Sequence, residues 1–166
     1  MSDAPRLAIC PGSFDPPTNG HLDIFMRAST LFDRVVIAVL RNESKQPMLA
    51  LQDRLMLLKA IAAPLGTVEV DTFDGLLVDY ARRRRAAAVV RGLRGVTDFE
   101  YERQMTLTNR VLDGTLETVF LLPSAEHDFI SSTLVRHIVS AHGPVEQLVP
   151  APVAAYLAAR RQGPRA

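Results

Sequence analysis

Leu7-Ala8-Ile9-Cys10-Pro11-Gly12-Ser13-Phe14-Asp15-Pro16-Pro17-Thr18-Asn19-Gly20-His21 decides the reading of this chain. Residues 7–10 form a short apolar run of the kind that a parallel sheet buries on both faces. Pro11, Gly12, Pro16, Pro17 and Gly20 then deny regular structure to the next stretch. Beyond it, Leu22, Ile24, Phe25, Ala28, Leu31 and Phe32 recur at helical spacing. Thr18 or Asn19 can cap that helix, which leaves His21 in or beside its first turn. A helix N-terminus carries free N–H groups and partial positive charge, so an anion is its natural ligand. His21 adds a donor aimed at the same place, and Ser13 adds a hydroxyl from the loop.

Outward from this stretch the chain alternates strand and helix patterns. Strands are expected at residues 35–40, 67–73, 86–90 and 118–122, the 67–73 strand nearer an edge because it alternates, the last central because it is nearly all apolar. Helices are expected at 51–63, 76–85, 98–112, from Ser131 or Ser132 onward, and at 152–161. On the 51–63 helix, Leu51, Leu55, Leu58 and Ala62 form the apolar face, with Arg54 elsewhere. The 98–112 helix counts Phe99, Met105, Leu107, Val111 and Leu112 as its apolar members. The expected fold is α/β: one domain over 1–166 with a doubly wound, mainly parallel five-stranded sheet, C-terminal helices and a frayed tail.

Two more loops at strand C-termini carry phosphate-type chemistry. Arg91-Gly92-Leu93-Arg94-Gly95 sets two guanidinium groups among glycines that let the backbone approach a ligand. Ile130-Ser131-Ser132-Thr133-Leu134-Val135-Arg136 opens a helix with hydroxyls beside its free N–H groups. Lys45 comes from the loop after the second strand. Arg82 to Arg85 end a helix, where successive positions cannot all face one ligand, and read as a solvated face.

The whole chain excludes much else. Its 19 basic and 18 acidic residues leave a net charge of +1, so no global pull toward nucleic acid or membrane is expected. Cys10 is the only cysteine, in an apolar run, and reads as a buried hydrophobe in a reducing compartment. No leader-like or membrane-length apolar segment is present, and a cytoplasmic protein is the expectation. No Ser-His-Asp or Cys-His pairing, metal-ligand pattern or Gly-x-x-x-x-Gly-Lys-[Ser/Thr] loop stands out. A site rich in donors and poor in nucleophiles suits direct phosphoryl-type transfer, where positioning and charge stabilisation supply most of the catalysis.

Gly-Ser-Phe-Asp-Pro and Thr-Asn-Gly-His resemble the paired signature of the nucleotidylyltransferases. Thr18, where most of that superfamily has His, is similar to the phosphopantetheine adenylyltransferase family. So is Arg91-Gly92-Leu93-Arg94 followed by Asp98-Phe99-Glu100-Tyr101-Glu102. The resemblance covers about residues 7–148. It implies attack of the 4′-phosphopantetheine phosphate on the α-phosphorus of ATP, giving dephospho-coenzyme A and pyrophosphate, with Mg²⁺ assisting through the ATP phosphates. It implies that His21 stabilises the transition state, that Lys45 and Arg91 hold the attacking phosphate, and that Ser13 bridges the two substrates. Leu77 maps to the pantetheine arm. Phe14, Gly92, Leu93, Arg94, Glu102, His127, Asp128, Phe129, Ile130, Ser131, Ser132 and Thr133 map to ATP contacts, as do Ser13 and His21. His127-Asp128 departs from the aromatic-Ser pair of many members. Met105 and its neighbours face either the pantetheine channel or a subunit interface, and the resemblance implies a homohexamer. The alternatives are another nucleotidylyltransferase, which would lack the Arg91–Glu102 block, and a non-catalytic nucleotide-binding module.

Overall fold

In the computed structural model, residues 5–41 and 46–162 are described; Lys45 and the tail after Gln162 lie outside the described residues. Strands β1 (Leu7–Gly12), β2 (Arg34–Leu40), β3 (Val68–Phe73), β4 (Ala88–Gly92) and β5 (Glu117–Leu121) form a single sheet in the order β3-β2-β1-β4-β5, every neighbouring pair parallel. The intervening helices are α1 (Asn19–Leu31), α2 (Leu51–Ala62), α3 (Leu77–Arg84) and α4 (Val96–Leu112), followed after β5 by α5 (Ser132–Ser140) and α6 (Ala151–Gln162). The chain builds outward from β1 to β3, then returns to the other side of β1 for β4. That reversal between β1 and β4 is where an open α/β sheet opens a crevice.

Strand alternation divides the core between the two faces of the sheet. Ala8, Cys10, Val35, Ile37 and Val39 point to the face covered by α1, α2, α5 and α6. Leu7, Ile9, Val36, Ala38 and Val89 point to the opposite face, where Val78, Tyr80 and Ala81 of α3 meet them. Because both faces are covered, β1 and β2 read as unbroken apolar runs.

Two expectations need correction. β5 is an edge strand. Its apolar run reflects what packs on its faces and says nothing about its neighbours. Val119 and Leu121 lean on the larger core, while Leu122 falls past the strand and is 69% exposed. On α2, the fully buried stripe is Leu57, Leu58, Ile61 and Ala62, and it includes Arg54, with Leu51 and Leu55 only partly covered. The expected edge position of β3 holds.

That edge is guarded by charge. Glu69 receives Arg34 and Arg84, and Asp71 receives Arg84 Nη1 and the Tyr80 hydroxyl at 2.8 and 2.7 Å. Such side chains discourage pairing with another strand. The Arg82–Arg85 run is therefore only partly a solvated face: Arg84 braces β3, and Arg82 pairs with Asp79 and Asp113. No helix among the described residues is long and apolar enough to cross a membrane.

Ile37 lies in β2 with none of its surface exposed. Ile37→Ala should cost about 2–5 kcal/mol, the range for a buried aliphatic truncation that leaves a cavity. Urea denaturation checks this as a lowered midpoint with an unchanged slope.

Candidate active site

β1 and β4 stay in register only at Ala8–Ala88 and Ile9–Val89, whereas β1 and β2 remain paired as far as Gly12–Val39. Beyond Ile9 the two central strands part. Pro11 has no N–H to extend a ladder, and its carbonyl is taken instead by Arg91 Nη1 at 2.6 Å. The opening is the mouth of a cleft of about 360 Å³, bounded by the β1–α1 loop, the end of β4 and the start of α5.

The end of β1 and the β1–α1 loop are held through their own carbonyl oxygens. Arg91 from β4 takes Pro11, Arg54 from α2 takes Ser13 at 2.7 Å, and Arg136 from α5 takes Asp15 at 2.6 Å. Ser132 Oγ adds a bond to the Pro16 carbonyl at 2.8 Å. The Asp15 carboxylate accepts the backbone N–H groups of Met48 and Leu49, both at 2.8 Å, so the loop is also tied to the segment entering α2. Phe14 adopts a left-handed backbone (φ 49°) and turns its ring under the loop. There it meets His21 and Phe25 edge-on, with centroids 5.1 and 5.5 Å away. A Cβ on Gly12 would lie 2.7 Å from that ring, which is why glycine is needed there.

Thr18, not Asn19, caps α1. It forms a capping box in which His21 stands where Glu or Gln is usual. The Thr18 N–H donates to His21 Nδ1 at 3.0 Å, and the His21 N–H donates to Thr18 Oγ1 at 3.3 Å. A backbone N–H can only donate, so Nδ1 is unprotonated. Removal from water, reinforced by the Arg94 and Arg91 guanidinium groups, lowers the His21 pKa to about 3. At neutral pH the ring is therefore uncharged with its proton on Nε2, a fixed neutral donor in the cleft wall. Asn19 uses its N–H and side-chain amide on the Leu148 and Gln147 carbonyls, both at 3.0 Å, which anchors this helix start to the segment before α6.

Arg91 grips both carboxylate oxygens of Glu102 through Nε and Nη2, and Glu102 is itself buried. Arg94 bridges Asp98 (2.9 Å) and the Ile130 carbonyl (3.0 Å), so α4 and the start of α5 are locked to the end of β4. Gly92 is glycine for packing: a Cβ there would meet Ile24 Cγ1 at 3.1 Å. Ser131 caps α5, accepting from the Leu134 N–H at 3.0 Å, and Arg136 Nη2 donates to Thr133 Oγ1 at 2.9 Å. Cys10 lies on the cleft floor with its thiol pushed up to about 12 by burial, against a smaller opposing effect of Arg91. It is a protonated core group and no nucleophile.

The fold thus gathers Ser13, Phe14, His21, Arg91, Gly92, Arg94, Glu102, Ile130, Ser131, Ser132 and Thr133 around one cleft. Leu93, His127, Asp128 and Phe129 are not in its wall: Leu93 gives its N–H to Leu121, and Asp128 and Phe129 are exposed. Leu77 begins α3 against the opposite core. Arg136 and Arg54 were not singled out from sequence. Arg136 was legible as the Arg of the Ser-Ser-Thr-x-x-Arg pattern, but nothing local distinguishes Arg54 from any polar residue on an amphipathic helix. Among the described residues, no group of three or more His, Cys, Asp or Glu could hold a metal ion.

The His21 state carries a pH signature. Its folded pKa of about 3 lies below the ordinary 6.5. Between these values the unfolded chain binds a proton that the folded one refuses. The His21 contribution to stability is therefore complete above pH 6.5 and is lost as pH falls toward 3. In His21→Gln, which can keep the capping box, stability should fall less steeply across this window, as read from urea midpoints. The His21 ring protons should titrate in NMR near pH 3, and a midpoint close to 6.5 would overturn the assignment.

The sequence profile of the cytidylyltransferase-like family matches residues 9–138. Curated relatives named phosphopantetheine adenylyltransferase match over most of their length. The Synechococcus elongatus protein is 53% identical over 90% of this chain and 90% of its own. The Alkaliphilus metalliredigens protein is 48% identical over 87% and 92%, and the Natranaerobius thermophilus protein 45% over 96% and 99%. A solved structure from Vibrio parahaemolyticus, provisionally named a nicotinate-nucleotide adenylyltransferase, superposes with a TM-score of 0.63 over 92% of this chain and 98% of its own at 17% identity, a likeness of fold. With relatives this similar along nearly the whole chain, and the family's signature residues gathered in one cleft, the chain belongs to the phosphopantetheine adenylyltransferase family.

Proposed function

We propose that the protein transfers the adenylyl group of ATP to 4′-phosphopantetheine. A phosphate oxygen of phosphopantetheine attacks the α-phosphorus in line, the bond from that phosphorus to the bridging oxygen of the β-phosphate breaks, and pyrophosphate leaves. The products are dephospho-coenzyme A and pyrophosphate, with no covalent enzyme intermediate. The observation that carries this reading is a neutral, Nε2-protonated His21 set among cations in a cleft at the sheet's switch point. Such a group can donate to the α-phosphate as charge grows there, yet has no free pair on that nitrogen to attack with.

In this reading Ser13, the Arg94 guanidinium and the hydroxyls of Ser131, Ser132 and Thr133 receive the triphosphate at the N-terminus of α5. Phe14, Gly92, Glu102 and Ile130 complete the ATP contacts within the cleft, and Leu93 and residues 127–129, outside its wall, meet only a part of ATP that extends beyond it. Arg91, with Lys45, holds the attacking phosphate, and Leu77 meets the pantetheine arm. The two carboxylates in the cleft wall, Asp98 and Glu102, already serve Arg94 and Arg91, so the donor set fits a Mg²⁺ ion carried mainly by the ATP phosphates. Bound there, Mg²⁺ supplies neutralisation of the phosphate charge.

The reading places the protein in the cytoplasm and as a homohexamer. Support for assembly comes from α4, whose expected apolar members do not enter the core. Phe99, Met105, Leu107, Val111 and Leu112 are all at least 40% exposed, with Val111 at 86%. Sedimentation equilibrium should return six times the 18.3 kDa chain mass, and Val111→Glu should lower that value.

Pyrophosphate release from ATP and Mg²⁺ tests the chemistry. It should be rapid with 4′-phosphopantetheine and absent with nicotinamide mononucleotide; release with the latter alone would reassign the acceptor. His21→Ala should lower kcat by about 10²–10³-fold, as for loss of one oxyanion-type donor, with little change in KM. Unchanged turnover would remove His21 from the mechanism.

A further inference from the structure

Arg54 is 7% exposed, and its Nε has no hydrogen-bond partner. Among the described residues, no carboxylate lies within ion-pair distance of it. Its Nη1 donates to the Ser13 carbonyl at 2.7 Å. Burying a cation is costly unless it is paired or hydrogen-bonded, so the bond Arg54 does make carries weight. Here it holds the peptide that joins Ser13 to Phe14. That peptide is trans, since among the described residues only Asp15–Pro16 is cis. In a trans peptide the C=O and N–H point in opposite directions. Ser13 and Phe14 line the cleft, whereas Arg54 lies behind the loop and does not. Turning the Ser13 carbonyl back toward Arg54 therefore turns the Phe14 N–H forward. That N–H has no acceptor among the described residues, although Phe14 is 4% exposed and sits at φ 49°. A left-handed conformation at a bulky residue persists only when its surroundings enforce it.

We infer that Arg54 is a positioning residue for the reaction: from behind the loop it fixes and polarises the Ser13–Phe14 peptide so that the Phe14 N–H faces the phosphates in the cleft. Arg54 touches neither substrate. It acts as the rear half of an anion hole whose front is a backbone amide. A hydrogen bond accepted by a peptide oxygen strengthens the donor at the other end of the same peptide, and the charge on Arg54 enlarges that effect. Lysine would keep the charge and a donor group but lose the planar fork; glutamine would keep only a neutral amide donor. This inference rests on the reading of the cleft as a triphosphate site.

The chain's seven phenylalanines make selective ¹⁵N labelling a direct readout of this one amide. Inorganic pyrophosphate added to the intact protein should move the Phe14 amide signal downfield and leave those of Phe73 and Phe99 in place. In Arg54→Gln the Phe14 response should be largely lost and kcat should fall about ten- to a hundred-fold, less than for outright removal of a donor. Arg54→Lys should recover part of both. An equal Phe14 response and equal kcat in Arg54→Gln and the unsubstituted protein would overturn the inference while leaving the function intact. So would equal losses in both variants accompanied by displaced Phe25 and Phe73 signals, since that pattern marks a packing role. No Phe14 response in the unsubstituted protein would instead remove the triphosphate reading on which the inference depends.

Discussion

The β1–α1 loop cannot hold its own shape, and everything in the cleft depends on its being held. Its prolines and glycines remove the ladder and helix bonds that would stabilise it locally. The carbonyl oxygens of Pro11, Ser13 and Asp15 instead accept from Arg91, Arg54 and Arg136, supplied by β4, α2 and α5. A hydrogen bond with a charged partner is worth about 1.5–3 kcal/mol, against about 1 for a neutral one. Three of them, each from a different element, make loop geometry a property of the assembled fold. The active-site wall therefore forms only once the strands and helices behind it have docked.

The same economy shows in the residues with obvious chemistry. Arg91 takes Glu102 and the Pro11 carbonyl before any ligand arrives, and Arg94 takes Asp98 and the Ile130 carbonyl. Their remaining donors are thereby aimed, and a ligand need not meet the entropic cost of ordering them. His21 is set in the same way: its capping-box bond to Thr18 selects the tautomer, and burial, reinforced by Arg94 and Arg91, keeps it neutral. A protonated imidazole would be a stronger donor, but in this cationic cleft it is disfavoured. In the proposed reaction such a fixed dipole would stand where charge develops, with no group that must gain or lose a proton.

What was legible locally was what depends on residue type and near neighbours. The apolar runs of β1 and β2 report burial on both faces. The Thr18-x-x-His21 spacing reports a helix start, and the Arg91–Glu102 block reports a strand end whose arginines line the cleft. Arg54 was illegible because a buried arginine on α2 and a solvated one have the same local spelling. The edge position of β5 was illegible because side-chain hydrophobicity records what covers a strand's faces, not what pairs with its edges. The setting of Gly92 between two arginines suggests room for a ligand, but the space its missing Cβ leaves is filled by Ile24.

By itself the sequence determined the alternation of strands and helices, the identity of the donors and their placement at strand ends, because periodicity, capping and turn chemistry act over a few residues. Only the tertiary structure decided that β1 and β4 part beyond Ile9, that three arginines converge on one loop, and that His21 stays neutral through burial beside Arg94 and Arg91. Those outcomes depend on distances between residues far apart in the chain and on how much water the fold excludes, and neither is written in any local stretch.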